Sequence, residues 1–213
     1  TITVTDRNGQ RVTVTANTNG TYSFVMPDGQ VTVSATFTET VLPFSDVDSS
    51  DWYYDAVKYV YDNGLMDGVD GGLFDPNGTT TRAQIVTILY RLAGEPDISD
   101  ENLGYPYEDV RPDFWYTDAI YWARITGVAD GYDNGCFGPN DAITREQMAA
   151  MLYRYADYMG YDVSGSADLD QFPDGDDTSD WAVESMSWAV AQGLISGGDG
   201  NVLQPGGNAI RAQ

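Results

Sequence analysis

One stretch of about forty residues is written three times in this chain, and that repetition limits the fold more than any other feature. "FSDVDSSDWYYDAVKYVYDNGLMDGVDGGLFDPNGTTTRAQ" from Phe44 aligns with "YEDVRPDFWYTDAIYWARITGVADGYDNGCFGPNDAITREQ" from Tyr107. Both align with "FPDGDDTSDWAVESMSWAVAQGLISGGDGNVLQPGGNAIRAQ" from Phe172. Trp52, Trp115 and Trp181 lie 63 and 66 residues apart. Gly64, Gly127 and Gly193 repeat both intervals, as do Pro76, Pro139 and Pro205, and Arg82, Arg145 and Arg211. Chance does not place four residue types in one shared register. A unit this short cannot bury its own apolar faces, so the copies must pack on one another.

Each copy reads as helix, loop, helix. The first helix is expected to begin at the Trp after an acidic or hydroxyl cap and to carry Ala56, Val57 and Val60 on its apolar side. It stops at Gly64, which readily takes the left-handed cap conformation. "MDGVDGGLFDPNG" is a tight loop, rich in Gly, Asp and Pro. In the second helix Ile85, Val86, Ile88, Leu89 and Leu92 recur at helical spacing. Thr81 followed by Gln84 is a capping box, which starts that helix at Thr81. Polar connectors at 94–106 and 160–170 let each copy swing round to a shared core. The third copy reaches Gln213 as its second helix is due. Either the chain was cut there or another segment completes the unit, self-association being one way to supply it.

Residues 1–40 follow a different rule. "TITVTD", "RVTVTA", "TYSFVM" and "VTVSATF" alternate apolar and polar residues with period two, separated by Asn-Gly or Asp-Gly turns. They form an antiparallel β module or part of one. The expected plan is therefore mainly α: a β-rich module over 1–40 and repeats over 41–98, 104–163 and 168–213, the last stopping before its second helix.

Charge narrows the function classes. The chain holds 33 acidic and 10 basic residues, a net charge of −23. Only −1 of this falls in residues 1–40, which hold three acids and two bases, and −22 in the rest. Such a surface repels nucleic acid and anionic lipid. Histidine is absent, which removes the commonest acid–base catalyst and metal ligand. Cys136 is the single cysteine; with no His partner it reads as structural rather than nucleophilic. No apolar run approaches the roughly 18 residues of a membrane span. The chain opens in mid-pattern, without a starting Met or a signal peptide, and reads as a piece of something larger.

Against this background Arg82 looks misplaced. It sits in the first turn of a helix, where the dipole favours acids. The penalty is about 0.3–1 kcal/mol, and a charge-assisted contact to a bound carboxylate, roughly 1.5–3 kcal/mol, outweighs it. A helix N-terminus also offers unpaired N–H groups to an anion, and an arginine there adds a planar fork matched to a carboxylate. Tyr53, Tyr54, Trp115 and Tyr116 add flat aromatic faces near the helix starts. The ordinary alternative pairs Arg82 with a local acid such as Asp75 or one in the next copy.

The succession Phe-x-Asp-Val, Trp, Gly-Leu, Asp-Gly, Phe-x-Pro and Thr-Arg-Ala-Gln resembles the S-layer homology (SLH) module, usually found as three copies, over residues 44–213. The first forty residues are more loosely similar to β-rich repeats of bacterial surface proteins. The resemblance implies a pseudo-threefold bundle that anchors a secreted protein to the bacterial cell wall or S-layer without catalysis. The implied partner is secondary cell-wall polysaccharide, its pyruvylated N-acetylmannosamine held in grooves between copies, with no cofactor and no metal. The family's ligand-contacting arginine maps to Arg82 and Arg145, and to Arg211, although Ile210 replaces the capping Thr there. Asp46, Asp109 and Asp174 and the tryptophans Trp52, Trp115 and Trp181 line or support the grooves by the same analogy. Read from the residues alone, these tryptophans at helix starts belong in the core, and Asp46 and Asp109 equally well brace the loop before the first helix.

Two other classes are weighed. The Asp-rich loops suggest a calcium-dependent structural or protein-interaction module. An EF-hand loop starting at Asp174 would need Gly at position six and Glu at position twelve, where Ser179 and Ser185 stand. A glycosidase would need paired carboxylates, one of them in an apolar pocket that raises its pKa; no such acid is identifiable.

Overall fold

The computed structural model describes residues 2–17, 21–35, 41–98 and 107–213. The chain divides into two compact units, Thr1–Val41 and Leu42–Gln213.

In the first unit the strands are β1 (Ile2–Asp6), β2 (Arg11–Val12), β3 (Val14–Ala16), β4 (Tyr22–Phe24) and β5 (Val31–Ala35). One sheet has the order β2-β1-β5 and a second pairs β3 with β4, all antiparallel. "RVTVTA" is thus two short strands rather than the single one expected. Val12 pairs with Val4 while Val14 pairs with Phe24, so the chain changes sheets at Thr13. Asn8-Gly9 makes the expected turn, with Gly9 at φ +77°, a value glycine adopts without strain. The expected Asn19-Gly20 turn lies outside the described residues. Val4 is the buried apolar residue among the described residues of this unit, at 1% exposure.

The second unit is built on helices α1 (Tyr54–Asp62), α2 (Arg82–Leu92), α3 (Thr117–Ile125), α4 (Arg145–Tyr158) and α5 (Val183–Ala191). The capping box at α2 is present, Thr81 accepting from the Gln84 N–H while the Gln84 side chain accepts from the Thr81 N–H, and Thr144 with Gln147 repeats it at α4. Gly64, Gly127 and Gly193 follow the first helices with φ between +66° and +73°. The starts of those helices depart from expectation. None begins at the Trp, and Tyr53, Tyr116 and Ala182 precede α1, α3 and α5 without a side-chain cap. A tight turn takes the cap's place: Tyr54, Thr117 and Ala182 donate their N–H groups to the carbonyls of Asp51, Phe114 and Ser179, three residues back.

Helices pack across copies rather than within them. The second helix of one copy lies on the first helix of the next, α2 on α3 and α4 on α5. One large core joins all three copies through Val86, Leu89, Ile120, Trp122, Phe137, Ile143, Met186 and Leu203. A smaller cluster gathers Leu42, Phe44, Val57 and Phe74 around α1. An apolar cavity of about 260 Å³ lies between α1, α2, α4 and residues 210–213. No helix among the described residues is long and apolar enough to cross a membrane.

The segments just before the second helices tie the copies together. Thr80 donates its N–H to Ala209 O, Ala209 to Ile143 O, and Ile143 to Thr80 O, each at 2.9 Å. The three bonds form a closed ring at positions 63 and 66 apart, with all three residues at 2% exposure or less.

Candidate functional site

Around that ring each repeat arginine reaches into the neighbouring copy. Arg82 Nε donates to Phe137 O at 2.9 Å and its Nη2 to Asp130 O at 2.7 Å. Arg145 does the same with Leu203 O (2.7 Å) and Ser196 O (2.9 Å). Arg211 closes the cycle on Phe74 O and Asp67 O, both at 2.8 Å. In each case Nη1 makes no hydrogen bond to a described residue. Among the described residues no carboxylate lies within ion-pair distance of these guanidinium groups; the ion pairs present involve Lys58 and Arg91. Burial lowers the pKa of all three, partly offset by nearby groups: Tyr132 and Asp141 for Arg82, Asp174 for Arg145, Asp75 and Asp46 for Arg211. A guanidinium nonetheless stays charged at neutral pH. Carbonyl clamps thus take the place of a direct ion pair with a local acid, and nearby carboxylates offset the charge only from beyond ion-pair distance.

The aspartates hold the loops that the arginines grip. Asp46 accepts from the N–H groups of Phe74 and Asp75, Asp109 from Phe137 and Gly138, and Asp174 from Leu203 and Gln204, at 2.7–2.8 Å. They brace the loop before the second helix, not the one before the first. Desolvation pushes the carboxyls of Asp46 and Asp174 up, but these N–H donors, with the neighbouring arginine, reverse it, and the net shift is downward. Aspartate, loop carbonyl and arginine form one relay, repeated three times.

The exposed amides expected at the helix mouths are absent. Arg82 and Ala83 donate to Asp141 O and Pro139 O, and Gln84 to Thr81. Arg145 and Glu146 are likewise taken by Gly207 O and Pro205 O, and Gln147 by Thr144. Packing between copies consumes the donors that a lone helix would leave free. Any anion here meets guanidinium rather than backbone.

The arginines differ in access. Arg82 and Arg145 are 4% and 7% exposed, and the Arg82 guanidinium lies 4.6 Å from the Tyr132 ring and 4.8 Å from that of Phe137. Arg211 is only half-buried and lines a cleft of about 330 Å³ together with Asp67, Gln84, Arg91 and Trp115. Three copies thus contribute to one cleft. The tryptophans are not core, as their apolar neighbours suggested: Trp52, Trp115 and Trp181 are 74%, 56% and 56% exposed. The tight turn before each helix carries them outward, and Trp115 alone of the three borders this cleft.

Two contributors escaped the sequence reading. Arg91 donates to Leu65 O at 2.9 Å and enters the cleft beside Arg211. Its signal was available, because Arg91 and Arg154 each follow the repeat arginine by nine residues. Glu146, 9% exposed, accepts from the N–H and hydroxyl of Ser179 at 3.0 and 3.2 Å and so clasps the start of the third copy. Ala83 and Ala212 hold its place in the other copies, so no repeat pattern marked it.

The family model of the S-layer homology domain matches this chain three times, over 43–86, 106–149 and 171–213, more than half its length. The chain belongs to the S-layer homology family. Similar proteins include an amylopullulanase of Thermoanaerobacterium thermosulfurigenes, 31% identical over 80% of this chain and 9% of its own length. A cellulosome-anchoring protein of Acetivibrio thermocellus is 28% identical over 70% of this chain and 33% of its own. The S-layer protein sap of Bacillus anthracis is 30% identical over 91% and 22%. The chain thus spans a third or less of each of these SLH relatives.

Proposed function

We propose that this SLH chain anchors a protein to the bacterial cell wall by holding an acidic, pyruvylated secondary cell-wall polysaccharide in clefts between copies, which close as a pseudo-threefold bundle. The cyclic backbone ring and the threefold arginine exchange support the bundle. The observation that carries the binding role is the set of guanidinium groups clamped by carbonyls and lacking a carboxylate partner, one of them opening into a cleft with Trp115 and Arg91. A ligand carboxylate pairs with Nη1 of Arg211 while Trp115 offers the sugar its flat face. Arg82 and Arg145 offer Nη1 at the other two junctions. Asp46, Asp109 and Asp174 act by fixing the loops, and Trp52 and Trp181 stand exposed for the grooves of their own junctions.

The chain works outside the cell, in the cell wall or S-layer. It is a binder rather than a catalyst, since what it shares with an amylopullulanase it also shares with an S-layer protein and a cellulosome-anchoring protein. Calorimetry with calcium against the chelated protein tests the calcium-dependent reading. Self-association would fill the apolar cavity beside α1 with a helix from a second chain, and sedimentation over a concentration series tests it.

Retention of the chain by purified cell-wall polysaccharide, before and after chemical removal of pyruvate, tests the main reading. Loss of retention on depyruvylation and in Arg211→Ala is expected. Retention unchanged by depyruvylation overturns the ligand, and retention unchanged in Arg211→Ala, Arg82→Ala and Arg145→Ala overturns the site.

A further inference from the structure

The second helix of copy two runs one turn longer than that of copy one, 14 residues in α4 against 11 in α2. The segment leaving it shapes a second cleft, of about 510 Å³, with Tyr153, Tyr161, Asp162, Ser164, Glu184 and Ser187 among its walls. None of these residues is related by the repeat intervals to the lining of the arginine cleft. An adjoining hollow of about 450 Å³ shares Tyr161 and Asp162 and continues along Tyr155, Trp188 and Gln192.

This cleft is held in shape by its own bonds. The Ser187 hydroxyl donates to Ala167 O at 2.6 Å and accepts the Ala167 N–H at 3.0 Å, fastening the segment to α5. Val163 packs on the core. Ser164 donates to Asp162 Oδ1 through its N–H (2.9 Å) and hydroxyl (2.6 Å), and the Tyr153 hydroxyl donates to Glu184 Oε1 at 3.1 Å. Each carboxylate keeps its other oxygen outside these bonds. Tyr153 is steadied edge-on against Trp188, ring centres 5.5 Å apart. Tyr161 stands 60% exposed between the two hollows.

The combination is specific in its chemistry. A phenol ring presented to solvent favours a flat apolar face, fixed carboxylate oxygens accept hydroxyl donors, and no basic residue lines either hollow. An acidic ligand is repelled. The C–H face and hydroxyl rim of a pyranose satisfy both halves. We infer that this tyrosine cleft is a second carbohydrate site, which takes a neutral glycan chain independently of the arginine cleft. Two sites on one compact unit raise the effective concentration of the second contact once the first is made, so a weak neutral site still lengthens attachment to a wall.

Titration of the whole chain with cellotetraose and, separately, chitotetraose, followed by calorimetry and amide NMR, tests this. Binding of either probe is expected, the plain or the N-acetylated arm telling which wall sugar the cleft suits. Tyr161→Ala should weaken it several-fold, up to about tenfold, the scale of a lost stacking contact. Tyr161→Phe should retain it, Arg211→Ala should leave it unchanged, and an exposed Tyr161 makes an unaltered melting temperature the folding control. Failure of both probes to bind overturns the inference, as does binding that survives Tyr161→Ala. Equal shifts at the cleft from tetramethylammonium would also overturn it, since the cleft would then be reading charge and not sugar.

Discussion

Arg82 and Arg211 close the same pair of carbonyl bonds, yet one ends buried between two aromatic rings and the other beside an open cleft. Part of the difference lies in the loop each one grips. Tyr132 covers Arg82, while the residue 63 earlier, at the Arg211 junction, is Val69, too small to do so. Arg145 meets Gly198 at that place and is still only 7% exposed, so ring cover contributes to burial without being required for it. A repeat motif therefore specifies a clamp between copies, and how far its guanidinium is buried varies from junction to junction. The buried arginines contribute more to the fold, and the half-exposed one gives a ligand the readiest access.

Replacing each arginine separates the two roles. Arg82→Ala strands the Phe137 and Asp130 carbonyls and leaves a void, and is expected to cost about 3 kcal/mol in urea unfolding. Arg82→Lys should restore little of it, since one ammonium lacks the fork that spans both carbonyls. Arg211→Ala should cost about 1 kcal/mol or less in stability while weakening polysaccharide binding about tenfold. Equal stability losses in the two variants would erase the distinction.

Exchanging the covering residue sharpens the comparison further. Val69→Tyr should close the Arg211 cleft and reduce polysaccharide retention without lowering the melting temperature. Tyr132→Val should uncover Arg82 at a cost of about 2 kcal/mol for the lost cation–π contact in a desolvated setting. Retention that ignores both changes would show that ring cover does not govern access.

Acid should act on the loops rather than on the arginines. The Asp46 and Asp174 carboxyls are held below the ordinary carboxylate range, so their contribution is present above the unfolded value and is lost only as pH falls through the lowered folded one. Amide exchange at Phe74, Asp75, Leu203 and Gln204 should stay slow through mildly acidic pH and quicken below it. Asp46→Asn should remove this step at Phe74 and Asp75 alone.

Salt should have the least effect. An acidic protein binding an acidic polymer works against long-range repulsion, which salt screens. Retention should fall little, or rise, between low and physiological ionic strength; a steep fall would point to long-range attraction in place of a local contact.

Much of this architecture is legible in the residues because it is local. Thr81 with Gln84 names a helix start, and Gly64 names a helix end. The helix start near Trp52 departs from the expected side-chain cap because a carbonyl three residues back replaces it, and a backbone bond leaves no mark on side-chain patterning. Arg91 was overlooked although its interval repeats, whereas Glu146 clasps Ser179 across 33 residues with no counterpart in the other copies.

The order of residues by itself determined three copies and which arginines recur, through one shared register of 63 and 66 residues, and it determined the helices, the capping boxes of α2 and α4 and the β module through spacing within a few turns of chain. Only the tertiary structure decided that the helix-mouth amides are spent on neighbouring copies, that the tryptophans face solvent, and that Arg211 rather than Arg82 borders an open cleft. Those outcomes depend on which carbonyls and rings arrive from other copies, 48 to 144 residues away, and exposure is a property of that meeting and not of any single segment.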